Sequence, residues 1–119
     1  SINRFIHGVI AMKRVNYQNK INNMKVYLTA ILKVVPAHRE EVLALLLEMV
    51  EASRKEAACI QYDLHQVNSD ENQFIFYEIW EDQAGLDAHN QQPYIVAFGK
   101  VAGEKLQETP QIIAMNKIA

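Results

Sequence analysis

Residues 59–94, CIQYDLHQVNSDENQFIFYEIWEDQAGLDAHNQQPY, carry the pattern that decides the fold. Two runs rich in β-branched and aromatic residues, 59–67 and 73–81, flank Asn68, Ser69, Asp70, Glu71 and Asn72, which favour turns or solvent, and the pair reads as an antiparallel hairpin. In the second run Phe74, Phe76, Glu78 and Trp80 fall on one face and Ile75, Tyr77 and Ile79 on the other, because strand side chains alternate. Both faces are apolar enough to require cover. Asp82 is a helix cap type and opens a short helix through residue 88; Pro93 opens a second helical stretch in which Tyr94, Ile95, Phe98, Val101, Ala102 and Leu106 recur at three- and four-residue steps.

Working outward, residues 25–35 alternate through Val26, Leu28, Ala30, Leu32 and Val34, as a strand with one buried face does, and Pro36 stops the ladder. Residues 37–56 place Val42, Leu45, Leu46, Met49 and Val50 on one side of a helix, with Glu41, Glu48, Glu51 and Lys55 on the other. After Pro110, residues 111–118 read as a closing strand. The order strand, helix, strand, strand, helix, strand predicts an α+β, ferredoxin-like βαββαβ fold: an antiparallel sheet with two helices on one face. Its other face needs a partner, and a second copy giving a dimeric α/β barrel is the economical one. This domain takes residues 24–119. Residues 1–23 form an N-terminal extension of different character, with scattered asparagines and the bases Arg4, Lys13, Arg14 and Lys20 but no acid. Two readings stand for it: an upstream extension, with Met24 as the natural start, or a short amphipathic arm lying on a partner subunit.

The net charge of -2 conceals that division, since residues 24–119 hold eight bases and fourteen acids. A surface near -6 repels phosphate backbones, and no basic stripe with interleaved aromatics appears, which argues against nucleic acid. Cys59 is the chain's one cysteine, so an internal disulfide is excluded and a reducing, cytoplasmic setting is expected. The longest apolar run, 42–50, is broken by Glu48 and falls far short of a membrane span. No glycine-rich phosphate loop is present, and His7, His38, His65 and His89 lack ligand spacing with one another or with Cys59, so no metal site is expected.

What remains is a concentration of Tyr77, Glu78, Trp80, His89, Tyr94 and Phe98 around the hairpin's second strand and the segment after it. Glu78 and Trp80 project from the face that helices should cover, where desolvation raises a carboxylate's proton affinity and suits it to act as a base. Structural readings stand beside the functional ones: Trp80 as core, Glu78 paired with Lys33 across the sheet, His89 on its helix's carbonyl end, Tyr94 and Phe98 as packing. Cys59, at a strand entrance, reads as a small core residue.

The stretch YEIWEDQAGLDAHNQQPY, 77–94, together with the residues before it, resembles the antibiotic biosynthesis monooxygenase superfamily, in particular its small quinol-monooxygenase-like members. The resemblance covers residues 24 to about 117 and rests on the Tyr-Glu-x-Trp strand, the Asp82 turn, the helix ending in His89, and Pro93 followed by an aromatic. It implies a dimer with a pocket between sheet and helices. The implied activity is oxidation of a quinol or other small hydroxylated aromatic by molecular oxygen without flavin, metal or haem. On the same resemblance His89 is the base or proton shuttle with Glu78 as its orienting catalytic partner, and Trp80, Tyr94, Phe98 and Phe76 are substrate contacts. Many relatives carry a second histidine after the proline; here Tyr94 stands there, and tyrosine is a poor base at neutral pH. The competing expectations are an isomerase or degradation enzyme for a small signalling metabolite, and a non-catalytic dimeric module that binds a hydrophobic ligand.

Overall fold

The computed structural model describes residues 2–119. Residues 26–115 form the α+β ferredoxin-like fold expected from the sequence. Its elements are β1 (Val26–Lys33), a 3-10 turn (Pro36–His38), α2 (Arg39–Ser53), β2 (Cys59–Val67), β3 (Asp70–Trp80), α3 (Gln83–Asn90), α4 (Pro93–Lys105) and β4 (Gln111–Met115), preceded by α1 (Ile2–Asn22). The four strands are antiparallel in the order β2-β3-β1-β4.

Alternation on the strands sorts the core. β1 and β3 pair with Ala30 opposite Phe76 and Leu28 opposite Glu78, and Tyr62 of β2 stands on the other side of Glu78. Leu28, Ala30, Leu32, Tyr62, Phe74, Phe76 and Trp80 therefore share the inner face and are buried with Val42, Leu46, Met49 and Val50 of α2 and Leu86 of α3. The opposite face, with Tyr27, Ile31, Ile75, Tyr77 and Ile79, is half-buried only. β4 is an edge strand beside β1, and all five of its residues are exposed.

Several boundaries differ from expectation, those of the hairpin tip and the long helix for local reasons. The hairpin tip shrinks to Asn68 and Ser69, because Val67 pairs with Asp70 and the Asp70 carboxylate accepts from the Asn72 amide at 2.9 Å; polar residues at a solvent-facing tip do not end a ladder. The long helix expected to reach residue 56 begins instead with a 3-10 turn at Pro36 and ends at Ser53. Its last amides tighten onto carbonyls three residues back, Lys55 to Ala52 and Glu56 to Ser53, so residues 54–58 leave the helix axis as a loop. The closing strand stops at Met115.

The extension, given no secondary structure from sequence, is a single helix of 21 residues with none buried. Ile2, Phe5, Met12 and Tyr17 on it are all more than 60% exposed, and the molecule measures 70 × 28 × 25 Å. Among the described residues, no helix is long and apolar enough to cross a membrane.

Asp82 caps α3 as expected, its carboxylate accepting from the Gly85 amide at 2.7 Å. Gly85 is required by closeness, since a Cβ on it would lie 2.4 Å from the Ala58 Cβ. The first turn of α3 thus rests directly on loop 54–58.

Candidate functional site

A cavity of about 230 Å³ lies between the inner sheet face and the helices. Sheet residues Leu28, Ala30, Leu32 and Phe76 form its floor, Met49, Leu86, Ile95 and Phe98 come from the helices, and Pro110 and Ile112 close the C-terminal side. Its polar lining is confined to Tyr62, Glu78, His89 and Asn90. Such an apolar chamber with a few convergent polar groups is the usual form of a small-molecule site.

His89 occupies the last turn of α3 and is 3% exposed. Its ring lies against the Trp80 indole, with centroids 4.4 Å apart, and near the Tyr62 ring at 5.4 Å. Nδ1 is 2.7 Å from Oε2 of Glu56. A carboxylate can only accept there, so Nδ1 carries the hydrogen and Nε2 is left as the acceptor. Nε2 faces Glu78, 4.0 Å from its Oε1 and beyond hydrogen-bond reach. The arrangement is that of an oriented base: a ring clamped by aromatic contacts, its tautomer set by a half-buried carboxylate, and its free lone pair turned toward the cavity residues.

Glu56 has further partners. Its Oε2 accepts a short hydrogen bond from the Tyr94 hydroxyl, its Oε1 faces the Gln92 amide nitrogen at 3.4 Å, and the Tyr94 hydroxyl lies 3.2 Å from Ser53 Oγ. Glu78 is more enclosed still, at 4% exposure, and its Oε1 accepts from Trp80 Nε1 at 2.9 Å. Burial pushes the Glu78 carboxyl up to about 7, an effect that the Trp80 bond opposes and the negative charge of Glu56 reinforces. Burial likewise pushes Tyr94 up to about 12 and raises the Tyr62 phenol, so neither is a base near neutral pH. The Cys59 thiol is also raised by burial, and the residue packs beside the core. Among the described residues, no three His, Cys, Asp or Glu side chains converge to hold a metal ion.

Of the residues singled out from sequence, the structure brings His89, Glu78, Phe76 and Phe98 to the cavity wall. Trp80 and Tyr94 do not line it. Trp80 has no exposed surface and stands behind the wall, bonded to Glu78 and packed at a tilt against His89; Tyr94 reaches the site only through Glu56. The Glu78–Lys33 pair does not form, because register places Lys33 opposite Gln73, five positions from Glu78, and Lys33 pairs with Glu108 at 3.1 Å. Nor does the His89 ring serve its helix's carbonyl end; it bonds Glu56. Sequence reasoning missed Glu56, Tyr62 and Ser53. The alternation of β2 places Tyr62 on the inner face with Leu64 and was the available signal. Glu56 has none, since it stands only as the last residue of the expected helix and meets His89 across 33 positions of chain.

Residues 25–101 match the family model described as antibiotic biosynthesis monooxygenase. The chain is 32% identical over 94 residues to YcnE of Bacillus subtilis, provisionally named a monooxygenase, covering 79% of this chain and 98% of that one. It is 38% identical over 88 residues to sll1783 of Synechocystis, an uncharacterised protein; 74% of this chain is covered, and the match spans 59% of that relative's length. Among solved structures, PA3566 of Pseudomonas aeruginosa superposes with a TM-score of 0.76 at 32% identity, covering 82% of this chain and 98% of the other. The sequence match, the identity to these relatives and the shared fold together make the chain a member of the antibiotic biosynthesis monooxygenase family.

Proposed function

We propose that the protein is a monooxygenase that oxidises a small hydroxylated aromatic, such as a quinol, with molecular oxygen and without a resident cofactor. The observation that carries this reading is the oriented base at the wall of an apolar cavity: His89 held by Glu56 at 2.7 Å, with Phe76 and Phe98 on the surrounding walls. A flat aromatic ring fits between such walls, and its hydroxyl finds His89 and Glu78 as the polar groups to meet. His89 Nε2 takes the phenolic proton, and the resulting electron-rich anion reduces oxygen directly. The balance closes without an external reductant, since a quinol and one oxygen molecule give a hydroxyquinone and one water. One oxygen atom bonds to a ring carbon; the other leaves as water with two hydrogens from the substrate. Burial in the apolar chamber excludes solvent from the reacting anion.

The same proposal has two copies pairing across the half-buried outer sheet face, where Ile75, Tyr77 and Ile79 supply apolar cover. It places the protein in the cytoplasm, which suits the free thiol of Cys59.

The test is oxygen uptake by purified, metal-stripped protein with a panel of quinols and dihydroxynaphthalenes, against a no-protein control for autoxidation. Protein-dependent uptake that drops roughly 10²-fold or more in His89→Ala, the scale for loss of a general base, is the expected result. Uptake by no member of the panel, or undiminished uptake by His89→Ala, sinks the proposal. Saturable ligand binding without turnover then marks a non-catalytic module.

A further inference from the structure

We propose that Glu56 and Tyr94 form a proton exit, carrying the proton that His89 receives to the groove between α2 and α4, on the far side of the cavity wall. This rests on the reading of His89 as the base, and adds a second, separate opening for the proton. The hydrogen-bonded chain is continuous: His89 Nδ1 to Glu56 Oε2 at 2.7 Å, Glu56 Oε2 to the Tyr94 hydroxyl, and that hydroxyl to Ser53 Oγ at 3.2 Å. Its two ends open on different spaces. His89 lines the central cavity, while Tyr94 lines a separate groove of about 380 Å³ with Leu45, Glu48, Ala52, Ala97 and Val101. Only Met49 and Phe98 belong to both linings, so two side chains divide the spaces and the hydrogen-bonded chain passes around them.

Geometry also favours this route over one through the cavity. With an aromatic substrate filling the cavity, Nε2 is shut off from water, and the ring cannot turn to carry its proton out because Trp80 and Tyr62 pack against it. A histidine so held passes charge by accepting at Nε2 and releasing the hydrogen at Nδ1. Glu56 Oε2 receives that hydrogen as a neutral carboxyl. The phenol hydrogen, which donates to Oε2 at rest, turns away from it and passes to water in the groove as Glu56 donates to the Tyr94 oxygen. Two protons move in that step, one in each of the others, and no bond to a heavy atom other than those to the moving protons is broken. The reverse sequence returns a proton to Nδ1 when Nε2 gives its own to the departing water, which restores the starting tautomer. Glu56 and Tyr94 are positioning residues, acting through His89.

The experiment reads the exchange of the His89 Nδ1 hydrogen with water, by NMR on protein labelled with 15N-histidine and without any substrate; His89→Ala assigns the resonance. Tyr94→Phe removes one hydroxyl, and Glu56→Gln keeps an acceptor for Nδ1 but cannot take the proton. The exit predicts that each variant slows exchange by about tenfold or more, and that a resonance broadened away by fast exchange in the parent protein appears in Glu56→Gln. A role confined to holding Glu56 in place predicts the opposite sign for Tyr94→Phe, because a loosened carboxylate admits water. Unchanged or faster exchange in both variants overturns the proposal, as does a resonance that stays invisible in both. Because no substrate is present, slowed exchange alongside an absence of oxygen uptake leaves the exit standing and removes the monooxygenase reading alone.

Discussion

The two faces of β3 both carry large apolar side chains and end in different conditions. Phe74, Phe76, Glu78 and Trp80 point inward and are all below 5% exposed; Ile75, Tyr77 and Ile79, one position out of phase, remain half-buried. The inner face is finished within one chain, because α2 and α3 close over it, and it is there that two carboxylates and a histidine are enclosed. The outer face has no helix to meet. One strand is thus divided by parity: even positions hold the core and the candidate site, and odd positions stay half-buried. A slip of one residue would exchange these roles wholesale.

The contrast can be broken or sharpened by substitution. The largest effect is expected from Trp80→Ala, which empties a fully buried site and removes the donor to Glu78; urea unfolding should show a loss of about 3–5 kcal/mol. Ile79→Ala, on the outer face, should cost about 1 kcal/mol in a single chain, and comparable losses for the two would dissolve the distinction.

Next comes the pH dependence of Glu78. Its folded-state carboxyl lies at about 7 against an ordinary value of 4.5, so folding disfavours the ionised form. The stability this group contributes is complete below about 4.5 and is lost as pH rises through 7, by up to about 3 kcal/mol. Glu78→Gln, which retains a carbonyl acceptor for Trp80 Nε1, should flatten the melting temperature between pH 5 and 8 and raise it at the alkaline end. An unchanged slope would place the titration elsewhere.

The smallest effect on the chain itself, yet the clearest on assembly, is expected from Tyr77→Lys combined with Ile79→Lys. Each chain should keep its fold and its far-ultraviolet dichroism, while sedimentation falls from the mass of two chains to that of one. A parent protein that already sediments as a single chain would remove the outer face from any account of pairing.

The fold was legible because its signals are local and periodic. Alternation in 73–81, helical spacing in 37–56, the Asp82 cap and the prolines at 36 and 93 each announce themselves within a few residues. Half of the site was legible for the same reason, since Glu78 and His89 lie on elements whose faces can be counted. Glu56 was not. It becomes part of the site only because α2 ends at Ser53, with tightened amides and no proline or glycine to announce the end, and because loop 54–58 then meets α3. Trp80 and Tyr94 were placed one layer too far forward, because periodicity gives the face a side chain points to but not whether another stands in front of it. The course of α1 was hidden by its composition: asparagines, Gly8 and β-branched residues are weak helix formers, and none of its residues is buried.

Gly85 sets the tolerance of the whole arrangement. It lets the start of α3 lie against Ala58, and one turn along that helix His89 meets Glu56, two residues before Ala58. The spacing between base and carboxylate is thus gauged by a hydrogen atom, in the manner of a shim of zero thickness. Any other residue wedges helix and loop apart at one end and opens the gap at the other. A residue without a side chain, outside the cavity lining, therefore sets the spacing between His89 and Glu56, and a substitution there reaches the candidate site without touching it.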